Sequence, residues 1–123
     1  MDGADTGTNG SMTRTRAIKR NNPEACMSAY IVFIRDKMKD RTTYDQYIRE
    51  AAPTLEKYHG EIIVFNGANE ALEGPATDGG VVLRFPDMAS ARAWYDSAEY
   101  SQSKPLRLAA TEGRAVLFEG VGA

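Results

Sequence analysis

Four side chains in the C-terminal half could make a chemical group: Trp94, Tyr95, Tyr100 and Arg107. Aromatic walls with one guanidinium suit a flat or carboxylated small molecule, with apolar burial for its body and a bidentate clamp for its anion. In that reading Arg107 is the clamp, Tyr95 handles protons, and Trp94 and Tyr100 are walls. The plainer reading makes Trp94 a helix anchor and Arg107 a structural partner of Asp96 or Glu99. Glu73, in Leu-Glu-Gly, is a second candidate for proton handling or a partner for Arg107, against the ordinary fate of a solvated glutamate. His59 is the sole histidine, so imidazole catalysis or haem ligation has one possible source. Its place at a helix end equally suits a cation meeting the helix dipole. Arg84 is a ligand-binding candidate on the sheet face opposite Val81, Leu83 and Phe85, with Glu119 as its expected partner.

Other chemistries lack the residues they need. The chain has 123 residues, 15 basic and 17 acidic, with a formal charge of −2. That balance argues against a general nucleic-acid binder, which needs a basic face. No run approaches the apolar length of a membrane span. One cysteine, Cys26, excludes an internal disulfide and a cysteine-built zinc site. With one histidine besides, no transition-metal site is expected. The glycines match neither a Walker nor a dinucleotide spacing, so no cofactor is expected.

The elements that must position these residues are legible from periodicity. Residues 29–34 are a β-branched and aromatic run, apolar on both alternating faces, as a strand covered on two sides would be. Tyr44, Tyr47, Ile48, Ala51, Leu55 and Tyr58 recur along one helical face; Thr42 is the expected N-cap, Pro53 a kink and Gly60 the left-handed terminator. Tyr44, Tyr47 and Tyr58 read as core residues whose hydroxyls reach the rim. Residues 61–65 form a second strand, Asn66-Gly67 is first of all a turn signal though its amide could orient a substrate carbonyl, and 71–74 form a short edge strand. A third strand spans 80–85. Asp87 caps a helix carrying Met88, Ala91, Trp94 and Tyr95. A further helix runs from about 97 to 110, broken at Pro105 and closed by Gly113, before a last strand at 114–119.

The order β-α-β-β-α-β is the split βαβ, or ferredoxin-like, arrangement: an α+β sandwich with its helices on one face of an antiparallel sheet. Strands apolar on both faces leave the other face to an interface, and a two-fold homodimer is the commonest closed solution. Residues 1–27 read as a separate polar tail that buries too little to order itself, bearing Arg14, Arg16, Lys19 and Arg20. No secretory apolar core is present in it, and the expected location is cytoplasmic.

Leu72-Glu73-Gly74, Val82-Leu83-Arg84-Phe85-Pro86 and Ala93-Trp94-Tyr95-Asp96-Ser97, followed by Glu99-Tyr100 and Arg107, resemble the domain of unknown function family 1330. The likeness spans about residues 28 to 121. It implies a member of the dimeric α+β barrel superfamily, with a pocket between sheet and helices. That superfamily includes cofactor-free monooxygenases, isomerases, lyases, haem-degrading enzymes and ligand-sensing domains, among which fold does not choose. His59-Gly60 stands where the family commonly has Gly-Gly, and Arg84 where it commonly has an acid. The leading expectation is a homodimer binding a small organic molecule, anionic or aromatic, with or without a cofactor-free reaction. The alternatives are a non-enzymatic binding or interaction module and haem binding through His59.

Overall fold

The computed structural model describes residues 27–121, and the folded unit is 29–119. The tail expected over 1–27, with Cys26, lies outside the described residues except for Met27. Strand β1 (Ala29–Met38) leads to helix α1 (Arg41–Ala51), which runs on as a 3-10 helix (Ala52–Tyr58). Strands β2 (Glu61–Phe65) and β3 (Gly79–Phe85) follow, then α2 (Met88–Tyr95), α3 (Ala98–Ala110) and β4 (Thr111–Glu119). The sheet order is β2-β3-β1-β4, every pair antiparallel. This is the ferredoxin-like α+β arrangement expected from the element order.

Strand alternation decides the core. Ala29, Ile31 and Phe33 of β1 are buried together with Leu83 and Phe85 of β3. Against them lie Tyr44, Tyr47 and Ala51 of α1, Leu55, and Trp94 and Tyr100 of α2 and α3. On the opposite face one row crosses the whole sheet: Val64, Val82, Val32 and Val116 are successive cross-strand partners. Val64 and Val116 are exposed, and so is Phe118 beside Tyr30. Covering on both sides, expected from the apolar pattern of β1, is therefore found only on the helix side of the chain.

Several local expectations are corrected. The α1 cap is Asp40, not Thr42: its carboxylate accepts from the Thr43 backbone N–H at 3.1 Å and from the Thr43 hydroxyl at 2.8 Å. Pro53 does end the α-helix, tightening the next turns to 3-10 geometry. His59 rather than Gly60 takes the left-handed conformation (φ 62°). Gly60 is instead required for space, since a Cβ there would lie 2.7 Å from the Phe85 ring and 2.8 Å from Leu55. Residues 71–74 form no edge strand; the chain bends over 72–75, with Leu72 88% exposed and Gly74 at φ 82°. Pro105 does not break α3, because both it and Ser101, whose carbonyl it would orphan, are exposed to water. Gly113 lies inside β4, where a Cβ would strike the Ile34 carbonyl oxygen.

Candidate functional site

Between the helix face of the sheet and α1 lies a cleft of about 60 Å³, open to solvent. Phe33, Ile48, Leu55, Ile62, Phe65, Val81, Leu83 and Trp94 make its apolar walls. Its hydroxyls come from Tyr44, Tyr47 and Thr111, and its charged side chains are Arg35, whose Nε stands 3.7 Å from the Asp78 carboxylate, and Arg107; Arg114 borders it through β4 but shares the open sheet face with Val116. Among the described residues, no Asp, Glu, His, Lys or Cys lines it. With Arg35 paired to Asp78, Arg107 is the cleft's uncompensated charge among the described residues, which favours an anion among apolar surroundings.

Arg107 enters this cleft from α3 and is held on two sides. Its Nε donates to the Tyr100 hydroxyl at 3.3 Å, and its guanidinium carbon stands 5.1 Å from the centre of the Phe33 ring. No carboxylate among the described residues lies within salt-bridge distance of it. The partners proposed for it from sequence are engaged elsewhere: Asp96 with Arg92 at 3.1 Å, and Glu99 with Lys57 at 2.8 Å. Burial works against the charge, but the Tyr100, Tyr47 and Tyr95 oxygens outweigh it and hold the Arg107 pKa above its usual value. The two terminal nitrogens of a fixed guanidinium are a carboxylate's natural partner.

Tyr47 and Tyr100 meet hydroxyl to hydroxyl at 2.9 Å. Burial foremost, with the neighbouring Tyr100, pushes the Tyr47 pKa up, so its phenol stays protonated. Arg35, also on the lining, is fixed by Asn66 Oδ1 at 2.9 Å, the Asp78 carbonyl at 2.8 Å and the Asp78 carboxylate at 3.7 Å, over the Tyr44 ring at 5.0 Å. Asn66 passes the connection on, its Nδ2 donating to the Tyr44 hydroxyl at 3.1 Å.

Of the residues singled out from sequence, the structure brings Trp94 and Arg107 to the cleft and Tyr100 directly behind it. Trp94 is also a core anchor, 4.0 Å from Tyr100 between ring centres, with its indole N–H donating to Thr54 at 2.8 Å. Tyr95 stacks outside the cleft against Tyr100, with the Lys104 ammonium 4.1 Å from its ring centre. Glu73 is exposed in the 66–78 loop, away from Arg107 and Tyr95, so the three do not converge. His59 caps the 3-10 helix, exposed and outside the cleft lining, where it is no ligand for a group held inside. Arg84 points to the open sheet face and pairs with Glu61, not Glu119, its Nε 3.1 Å from Glu61 Oε1. Glu119 stands on β4, separated from β3 by β1, and in the register of Ala29 on the other face.

Arg35, Tyr44, Tyr47 and Asn66 were not chosen as site residues from the sequence. The tyrosines carry a core-like helical spacing, and Arg35 and Asn66 meet only across 31 residues of chain. Among the described residues, no group of three or more His, Cys, Asp or Glu could hold a metal.

The family model for a domain of unknown function, DUF1330, matches residues 28–121. Among solved structures, the chain is similar to a protein of unknown function from Rhodopseudomonas palustris at 16% identity and a TM-score of 0.65, covering 77% of this chain and 83% of that one. It is similar to a dimeric protein of unknown function with a ferredoxin-like fold from Bacteroides fragilis, at 15% identity and a TM-score of 0.52, covering 76% and 95%. It is also similar to SnoaB, a cofactor-independent oxygenase from Streptomyces nogalater, at 12% identity and a TM-score of 0.50, covering 76% and 92%. At these identities the likeness is one of fold. No curated protein matches the chain.

Proposed function

Because this chain belongs to the DUF1330 family, whose description assigns no reaction, we propose a function from the cleft itself: it binds a small, largely apolar organic anion. One observation carries this reading. Arg107 is held rigidly in an apolar cleft without a carboxylate partner among the described residues, leaving its terminal nitrogens for a ligand's anionic group. Aromatic and aliphatic walls supply burial for the rest of the molecule. The formal charge of −2 agrees with a small molecule rather than nucleic acid as the partner.

The working form is a homodimer. The valine row on the open face supports it, because a stacked second copy would remove those side chains from water. The dimeric description of the Bacteroides fragilis neighbour agrees.

Binding is the primary reading, and cofactor-free catalysis of an oxygenase, isomerase or lyase kind is the second. The fold shared with SnoaB favours the second. Against it, no carboxylate, imidazole or thiol of the described residues lines the cleft, and Tyr47 is held protonated, so a proton acceptor would come from the substrate. Trp94, the sole tryptophan, lines the cleft and reports binding directly. Titration of the full-length protein with benzoate should change its fluorescence, and benzyl alcohol should bind far more weakly. Arg107→Met should abolish that difference. Equal binding of the acid and the alcohol would overturn the anion clamp.

A further inference from the structure

Tyr44 and Tyr47 are neighbours on α1, their ring centres 5.9 Å apart, and both line the cleft. The rear of each hydroxyl is engaged by a defined donor. For Tyr44 chemistry sets the direction. Arg35 has no acceptor, so its Nη1 must donate to Asn66 Oδ1, which turns Asn66 Nδ2 toward the Tyr44 oxygen as donor. The hydroxyl hydrogen of Tyr44 has no acceptor among the described residues.

For Tyr47 burial sets the direction. Tyr100 is fully buried and already accepts from Arg107 Nε. Were Tyr47 the donor in the pair, the Tyr100 hydrogen would be stranded in a sealed core. With Tyr100 as donor, the unassigned hydrogen falls on Tyr47, at the cleft wall. Each phenol thus accepts from a donor that is itself tied to a guanidinium, an arrangement that polarises the O–H and strengthens it as a donor.

We propose that Tyr44 and Tyr47 form a paired hydroxyl donor that seats an oxygen acceptor of the ligand: a carbonyl, enolate or phenolate oxygen. The assignment rests on the small-molecule reading of the cleft and narrows the ligand class to molecules with an oxo or phenolic oxygen. Asn66 is a positioning residue in it, acting through Tyr44. Preset donors set among apolar walls stabilise a localised oxyanion more than a neutral oxygen.

The test uses 4-nitrophenol, whose phenol and phenolate absorb differently, with 4-nitrotoluene as a neutral match. Titrated across pH on the full-length protein, bound 4-nitrophenol should favour the phenolate by about tenfold over its free ratio. Tyr44→Phe and Tyr47→Phe, which remove only an oxygen, should each cut that preference about threefold. Affinity for 4-nitrotoluene should be unchanged in both. Asn66→Gly, which suits the positive φ at that position, should lower the preference in part with the cleft surface intact. If both probes bind and the phenylalanine variants keep the full phenolate preference, the paired donor is wrong and the cleft reading stands. If neither probe binds the wild-type chain, the cleft reading fails and the paired donor falls with it.

Discussion

Arg35 occupies the space that a side chain at residue 79 would need. A Cβ on Gly79 would collide with the Arg35 guanidinium and stand 2.9 Å from Asn66 Oδ1, and the backbone there has φ 153°. The glycine at the head of β3 is therefore what lets an arginine of β1 clasp both ends of the 66–78 loop, through Asn66 and Asp78.

Gly79→Ala is expected to destabilise the fold by about 1–3 kcal/mol, combining backbone strain with displacement of the clasp. Urea unfolding measures the loss. The same variant should weaken phenolate discrimination, because Asn66 would no longer be oriented toward Tyr44. An alanine variant as stable as wild type would show that the clasp moves aside freely.

Thr54 ties the 3-10 helix to α2. Its hydroxyl donates to the Ala51 carbonyl and accepts the indole N–H of buried Trp94 at 2.8 Å. Thr54→Val keeps the shape and strands that N–H, at a cost of about 1–3 kcal/mol. Chemical denaturation should show the drop, with benzoate affinity nearly retained in the folded protein.

The valine row predicts its own disruption. Val116→Arg places a charge in the row without touching the helix-side core. Sedimentation velocity should show a dimer for wild type and a monomer for the variant. A wild-type monomer at micromolar concentration would remove the proposed assembly.

The exposed pair Lys57–Glu99 sets a pH window. Hydrogen bonding from Lys57, chiefly, holds the Glu99 pKa below its ordinary 4.5, and the same bond holds Lys57 above its ordinary 10.5. A depressed acid stabilises the fold above its unfolded pKa and loses that contribution as pH falls through the folded value. A raised base contributes below its unfolded pKa and loses it as pH rises through the folded one. The pair's contribution should therefore be flat from about pH 4.5 to 10.5 and fade outside. Glu99→Gln should remove both limbs of that dependence in urea midpoints measured across pH. Asp40, lowered mainly by the Thr43 backbone N–H, adds to the acid limb alone.

What the sequence determined by itself was local and periodic. The β-branched and aromatic runs at 29–34 and 80–85, the helical spacing from Tyr44 to Leu55, and Asp87 before α2 specify elements and their order, because residue type, run length and helical period are local properties of the chain. For Trp94 and Arg107, which line the cleft, spacing left a pocket role and a structural role equally open. Tertiary structure decided the rest. Glu73 and Tyr95 have suitable chemistry but stand outside the cleft, and nothing in their spacing records that. Tyr44 and Tyr47 look like core residues in one dimension. They become donors only because Asn66 and Tyr100 reach their oxygens from 22 and 53 residues away. Hydrogen bonds are directional and short, so which distant groups satisfy a phenol is settled by strand register and helix packing, not by local pattern.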